Sequence, residues 1–491
     1  MKLKTLWKRL AEAGADENSA LPDVEVTSVT EDSRRARRGG LFIASKGAAV
    51  DAHDFAEQVA ASGCVAIAGT RAGLTELAGL PYLHVSEPHR AAALAAHALA
   101  GDPSREMTVI GVTGTNGKSS TIALIASVLM AAGHRPAQFG TLGYRIGDEV
   151  HDAKHTTPFG EELAEMFALA RGAGCTHVVM EVSSHALDQG RVAGIDFDVA
   201  AFTNLTQDHL DYHGDMEQYG RAKQRLFAGL DADSGLAVVN ADDPAGDGFI
   251  EATRARVITY GQAGVCRASD EAMRVGTMDF SLHTPWGDAP VALKLLGMHN
   301  IYNALCAAAV CGGLGVTVPA IVEGLAALPS VPGRFESIDA GQDFHVVVDY
   351  AHTPDGLANV LRAARQVCSG RIICVFGCGG DRDKGKRPKM GMLAAELADF
   401  SVVTSDNPRT EDPHRILLDV EVGMQRLRQR KGDDYLVIES RQEAIRKALG
   451  LAKAGDLVLI AGKGHEDYQI IGTERIHFDD REMARQILGE R

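Results

Sequence analysis

The segment Met107-Thr-Val-Ile-Gly-Val-Thr-Gly114-Thr115-Asn116-Gly117-Lys118-Ser119-Ser120 constrains this chain more than any other stretch. An apolar run reads as a buried strand, glycines follow it, and the run Thr121 to Met130 reads as a helix. A strand that enters a glycine loop and then a helix gathers backbone N–H groups and the positive end of the helix around one point, which is a cradle for phosphate oxygens. Lys118 would neutralise phosphate charge and Ser119 would reach magnesium. On its own the motif specifies a nucleoside triphosphate and nothing about what is done with it.

The rest of the chain must house that motif. At 491 residues it exceeds what one hydrophobic core supports, and roughly 150 residues per domain gives about three domains. Two restarts of strand–helix pattern divide it. One follows Gly101-Asp102-Pro103-Ser104; the other follows Pro329 to Gly333, where His345-Val-Val-Val-Asp-Tyr350 opens a second series. Later strands are expected at Ile372 to Phe376, Phe400 to Thr404, Tyr435 to Ile438 and Leu457 to Ile460. The expected division is 1–104, 105–333 and 334–491. Such alternation predicts an α/β fold with parallel sheets covered by helices and functional loops at the strands' carboxyl ends.

Composition narrows the partners. A formal charge of -15 and a pI near 5.6 argue against nucleic acid or an anionic membrane as a general partner, because both require a basic footprint. The uncharged stretch Ala304 to Val322 is long enough to span a bilayer, but Gly312-Gly313, Gly315 and Pro319 interrupt it. It is expected to be helix, turn and helix start, with no membrane insertion. Eight cysteines without a CxxC pair predict free thiols in a reducing cytoplasm.

The loop Gly114-Thr-Asn-Gly-Lys-Ser119, followed by Glu181-Val-Ser-Ser-His185 and Gly297-Met-His-Asn-Ile-Tyr-Asn303, resembles the Mur ligase family, and the resemblance covers nearly the whole chain. It implies an N-terminal UDP-binding α/β domain, a central P-loop ATPase built on a parallel sheet, and a C-terminal Rossmann-like domain that brings the incoming amino acid. Within the family, Asp406-Asn407-Pro408-Arg409 and Gly462-Lys-Gly-His-Glu466 resemble the members that add meso-diaminopimelate.

The resemblance carries residue roles with it. ATP would be held by Gly114, Thr115, Asn116, Gly117, Lys118, Ser119, Ser120, Asn300 and Arg334, with Asp349-Tyr-Ala-His352 facing it from the third domain. Magnesium would be held by Ser119, Glu181, His209 and a carbamylated Lys223, since a carbamate turns a cation into an anionic oxygen ligand. Lys118, Lys223, His209 and Arg334 are the expected catalytic set. Ser33, with the loop residues Ala48, Ala49 and Val50, resembles the uridine entrance, and Arg34, Arg35, Arg37 and Arg38 would supply a local positive field. Thr156, Thr157, Ser183, Gln189 and Arg191 resemble the contacts to the muramyl dipeptide; His155 stands where relatives commonly carry asparagine. Arg382, Asp406, Asn407, Pro408, Arg409, Gly462 and Glu466 would bind diaminopimelate. Read from the residues alone, Lys223 is an ordinary lysine on a charged helix, His209 equally a structural histidine, and Asp-Asn-Pro-Arg equally a turn with an exposed arginine.

The activity implied is transfer of ATP's terminal phosphate to the D-glutamate side-chain carboxylate of a UDP-muramyl dipeptide, followed by attack of the diaminopimelate amine on the acyl phosphate. A lysine-adding ligase of the same family and a nucleotide-binding regulatory ATPase are the alternatives. A monomer acting on small molecules is expected.

Overall fold

In the computed structural model the residues described are 1–16, 21–47, 50–153, 155–274 and 277–490. Ala48 and Ala49 therefore lie outside the described residues. The apolar runs form three mixed α/β sheets. Near the N-terminus Ser28–Thr30, Gly40–Ala44, Ala66–Gly69 and Leu80–His84 pair in parallel, with Glu76–Leu77 antiparallel at the edge.

The central sheet runs Arg256–Tyr260, Leu236–Asn240, Val199–Phe202, Thr108–Thr113, His177–Glu181 and Pro136–Gly140 in parallel, and ends in the antiparallel strands Gly143–Ile146 and Glu149–His151. Its strands are apolar without alternation because both faces are covered: Ile110 and Val112 enter one core, and Val109 enters the other. Thr108–Thr113 lies in the middle. From it the chain first builds outward on one side, through Pro136–Gly140 and His177–Glu181, and then on the other, through Val199–Phe202. That reversal leaves a crevice at the carboxyl end of Thr108–Thr113, where the glycine loop begins.

The third sheet orders Glu336–Ser337, His345–Asp349, Leu457–Ala461, Ile372–Phe376, Phe400–Val403 and Tyr435–Val437, parallel except at the first strand. The strands expected from the apolar runs are all present, each within a residue of its expected end. Met298–Gly313 and Val318–Ala327 are helices separated by a turn, as the glycines and Pro319 required. Among the described residues no helix is long and apolar enough to cross a membrane, and the eight cysteines are free and buried.

Apart from the antiparallel edges of the three sheets, a separate antiparallel element stands among the described residues. Arg267–Arg274, Thr277–Thr284 and Gly287–Leu293 form an antiparallel meander. Its strands alternate buried and exposed residues, so each carries only half the apolar signal of a doubly covered strand.

Arg441 ties the third sheet's loops together. It is fully buried, pairs with the equally buried Asp480 through two bonds of 2.7 Å, and donates to Ala461 O (2.9 Å) and Ser405 O (3.4 Å). The ends of two strands are thereby held in register where their functional loops begin. Arg441→Met would strand the Asp480 charge, and a loss of about 3–5 kcal/mol is expected; a denaturant titration reads it, and a loss below about 1 kcal/mol contradicts this account.

Candidate functional site

The glycine loop is braced by the end of the neighbouring strand. Thr115 N–H donates to Asn204 O (2.8 Å), Asn116 N–H to Asn204 Oδ1 (2.9 Å), and Thr115 Oγ1 both donates to Thr206 O and accepts from Thr206 N–H. Gly114, at φ +145°, leaves no room for a side chain: a Cβ there would lie 1.9 Å from Thr203 Oγ1. The helix Lys118–Ala131 then starts directly from Gly117, which aims its first N–H groups into the cavity.

Three cations converge on this loop. Lys118 Nζ donates to Gly114 O (2.9 Å) and Thr115 O (2.7 Å), while the buried Lys223 Nζ donates to the same Gly114 O at 2.8 Å. Arg334, from the turn leading into the third sheet, donates through Nη2 to Ser119 Oγ (3.1 Å) and rests on the Tyr350 ring at 4.3 Å. Its Nη1 is buried with no hydrogen-bond partner among the described residues, a donor left over for a ligand oxygen. Burial lowers the pKa of Lys118, and burial followed by the Lys118 charge takes Lys223 well below the usual lysine range.

Glu181, at the end of its strand, is 1 % exposed. It accepts from Ser119 Oγ (2.9 Å), Thr141 N–H (2.9 Å) and Thr141 Oγ1 (3.3 Å). His209 has a left-handed backbone, lies 3.4 Å from Asp208, and packs on the His185 ring; burial lowers its pKa to about 3. Among the described residues no three His, Cys, Asp or Glu side chains surround a ready-made metal position. The Glu181 carboxylate beside the Ser119 hydroxyl is nonetheless a pair of hard oxygen donors, and magnesium at nucleotide sites takes few protein ligands and completes its shell with phosphate and water. The donor set therefore fits magnesium.

Lys118, Ser119, Glu181, His209 and Arg334 line a cavity of about 520 Å³ that also reaches Asn303, Tyr302, His299, Asp355 and His352, whereas Lys223 is not part of its lining. Asn300 differs from expectation. It is buried, its Nδ2 donates to Leu296 O (2.8 Å), and its Oδ1 accepts from Asn303 Nδ2 (2.9 Å), so it orients Asn303 rather than lining the cavity. The two asparagines are three residues apart, less than one helical turn, which the motif alone does not resolve. Two carboxylates have partners that the sequence does not point to: Asp355 accepts from Asn116 Nδ2 (3.0 Å), and Asp208, in the segment after Val199–Phe202, sits 3.5 Å from Lys386 Nζ and 3.7 Å from His352 Nε2.

A second cavity, of about 800 Å³, opens between the first and central sheets and is lined by Ser33, Val50, His155 and Phe159 among others. The arginine-rich turn contributes less charge than its sequence suggested. Arg34 pairs with Asp32 (2.7 Å) and Arg35 with Glu165 (2.6 Å), while Arg37 and Arg38 do not line the cavity. His155 faces this cavity and Thr156 the first, so the segment joins the two. Thr157 Oγ1 is engaged by Glu181 O and Ser183 N–H, Ser183 Oγ caps the helix Ser184–Asp188, and Gln189 Oε1 accepts from Arg191, whose guanidinium lies over Phe159 at 4.0 Å.

At the carboxyl edge of the third sheet, Arg409 follows Phe400–Val403, Arg382 follows the adjacent Ile372–Phe376, and both side chains close on Gly379. Arg409 has φ +52°, is held by the hairpin strand Tyr468–Ile471 through its N–H to Ile470 O (3.1 Å), and donates Nη1 to Gly380 O (2.9 Å). Among the described residues neither arginine has a carboxylate within 4.0 Å. Asn407 Nδ2 donates to Glu466 Oε2 (3.0 Å) and Ile470 N–H to Asn407 Oδ1 (2.9 Å), while Gly462 N–H donates to Asp349 O. Pro408 precedes Arg409 in the same loop. Burial raises the Asp406 pKa, but Lys463 and Arg441 outweigh it and hold the carboxyl below its usual range.

Fold and site together define a multidomain α/β protein with a phosphate-loop nucleotide site and, at the carboxyl edge of the third sheet, two arginines without carboxylate partners among the described residues. The Mur ligase family, catalytic domain, matches residues 25–101, the Mur ligase middle domain 112–311, and the Mur ligase, glutamate ligase domain, 333–464. The UDP-N-acetylmuramoyl-L-alanyl-D-glutamate--2,6-diaminopimelate ligase of Geobacillus thermodenitrificans is 46% identical over 100% of both chains. A solved structure of a UDP-N-acetylmuramoyl-L-alanyl-D-glutamate--2,6-diaminopimelate ligase is 32% identical, with a TM-score of 0.68 over 100% of this chain and 99% of that one. The MurF ligase of Thermotoga maritima in complex with ADP shares the fold at 20% identity, with a TM-score of 0.67 over 96% of this chain and 100% of that one. This chain belongs to the Mur ligase family.

Lys118→Ala is expected to cut turnover by at least about 10²–10³-fold while leaving the melting temperature within a few degrees of the parent. Steady-state kinetics beside a thermal melt decide it, and normal turnover would remove Lys118 from the chemistry.

Proposed function

We propose that this chain is a cytoplasmic, ATP-dependent amide ligase that adds meso-diaminopimelate to the D-glutamate side-chain carboxylate of UDP-N-acetylmuramoyl-L-alanyl-D-glutamate, in peptidoglycan precursor synthesis. The observation that carries the reading is the pair Arg409 and Arg382, two guanidiniums without carboxylate partners among the described residues, on the same sheet edge as Asp406 and Glu466. A substrate with a distal carboxylate and a distal ammonium matches that arrangement.

The domains are assigned as 1–104 for the UDP-muramyl end, 105–333 for ATP and 334–491 for the amino acid, in a chain that acts as a monomer. Ser33 and Val50 face the uridine end, and Thr156, Thr157, Ser183, Gln189 and Arg191 form the segment that carries the dipeptide toward the phosphate loop. Asn407, Pro408 and Gly462 shape the amino-acid pocket.

The carboxylate attacks the terminal phosphorus of ATP, the bond to the bridging oxygen breaks, and ADP leaves. The diaminopimelate amine, having lost its proton, then attacks the acyl carbon, and inorganic phosphate departs from the tetrahedral intermediate. Carboxylate and triphosphate repel each other, so Lys118 and the spare Nη1 of Arg334 offset charge where it gathers. Magnesium, for which Ser119, Glu181, His209 and a carbamylated Lys223 would be the ligands, supplies further charge neutralisation when bound. Lys223 suits carbamylation because burial and Lys118 favour its neutral amine, the form that attacks carbon dioxide.

Lys223→Ala should be nearly inactive and regain turnover with millimolar acetate or formate. An active Lys223→Ala, or a parent enzyme whose mass carries no labile carbamate and whose rate ignores bicarbonate, would sink that role.

Arg409→Ala should lose diaminopimelate efficiency and narrow the preference over lysine, because a site built around a polar group rejects an analogue lacking it by up to ~10⁴-fold. Competition between the two amino acids, read by the mass of the tripeptide product, is the test. Unchanged efficiency and selectivity would leave Arg409 as a turn residue only.

A further inference from the structure

The phosphate loop and the amino-acid pocket belong to different sheets, yet one side chain touches the key group of each. Tyr350 leaves the end of His345–Asp349. Its ring carries the Arg334 guanidinium at 4.3 Å, and its hydroxyl donates to Glu466 Oε1 at 3.3 Å. Arg334 in turn donates to Ser119 Oγ, and Glu466 Oε2 accepts from Asn407 Nδ2 and Lys463 Nζ. Burial and the Glu466 charge hold the phenol well above its ordinary pKa, so it remains a donor.

The backbone fixes the same geometry. The turn bearing Arg334 and the turn bearing Glu466 pack main chain to main chain. A methyl at Gly333 would meet His465 N at 2.1 Å, and one at Gly464 would meet Gly333 O and Tyr350 Cβ, each at 2.6 Å. Both glycines are left-handed, with φ +63° and +53°. Gly464 is thus packed directly between the Gly333 main chain and Tyr350.

We propose that Tyr350 is a positioning residue that couples the amino-acid pocket to the phosphate loop, its hydroxyl fixing Glu466 for the incoming ammonium and its ring fixing Arg334 on Ser119. The proposal rests on the reading of Glu466 as part of the diaminopimelate pocket. The two halves of the side chain act on different substrates, which separates this role from a general structural one.

The test uses the full chain with ATP, UDP-muramyl dipeptide and diaminopimelate. Tyr350→Phe keeps the ring and loses only the hydroxyl. It is expected to raise KM for diaminopimelate about tenfold, the effect of one hydrogen bond to a charged group, with KM for ATP within about twofold of the parent. Tyr350→Leu loses the ring as well and should lower kcat a further tenfold or so, the effect of a desolvated cation–π contact. Glu466→Gln should raise KM for diaminopimelate, and adding Tyr350→Phe to it should change nothing more, because the hydroxyl acts through the carboxylate. If Glu466→Gln leaves that KM unchanged, the pocket assignment fails and the coupling with it. If Glu466→Gln raises it while Tyr350→Phe does not, or if the two effects simply add, the pocket stands and the coupling is overturned.

Discussion

The contact from Arg334 to Ser119 joins two sheets that otherwise present their carboxyl edges to each other across a cavity. Parallel sheets expose loops, helix N-termini and unpaired polar groups at that edge. Placing two such edges face to face gives an enclosed space rich in donors, and something must hold them in one relation. Asn116 to Asp355, Gln207 to Asp383 and Lys389 to Gln207 add polar contacts across the same seam. Arg334 differs from these in keeping a second donor for a ligand while its first is engaged.

Charge explains why the site can work inside an acidic chain. The whole molecule carries -15, yet Lys118, Lys223 and Arg334 crowd one glycine loop. Packing like charges together is unfavourable, and the chain lowers that cost in two ways. Gly114 O accepts from both lysines and Thr115 O from Lys118, and burial draws both amines toward neutrality. A triphosphate placed there would reverse the balance, because an anion stabilises the charged amines that burial penalises. Charge held ready for an anion in this way is the character of a preorganised electrostatic site.

Much of this is legible in the amino-acid sequence. The phosphate loop, the strand series after residue 333, and the placing of Arg382 and Arg409 on adjacent strand ends follow from apolar runs and glycines, because doubly covered strands and tight turns leave strong local signals. Three things are not. The meander from Arg267 to Leu293 is half exposed and reads weakly. Asn300 and Asn303 differ by less than one helical turn in facing, which spacing cannot decide without the neighbouring helix. The pairing of Arg34 with Asp32 cancels a positive field that a count of arginines would assert.

Asp208 shows why the least legible features can matter most to the chemistry. A buried carboxylate lining the cavity that holds the phosphate loop would repel any triphosphate there and would be costly on its own, by several kcal/mol. Burial pushes its pKa up, but Lys386 leads a set of cations and imidazoles that hold it well below the usual range, so it is an anion. Lys386 begins the helix Lys386–Leu397 and His352 follows the strand His345–Asp349, both on the third sheet's side, while Asp208 follows Val199–Phe202 of the central sheet. The charge balance of the nucleotide cavity therefore exists only when the two sheets are together. Asp208 and Lys386 are separated by 178 positions, so no local pattern could have announced their pairing. The fold supplies through topology what a motif could not encode: an acidic residue that is tolerable beside the phosphate loop only in the arrangement where the third sheet and the central sheet already face each other.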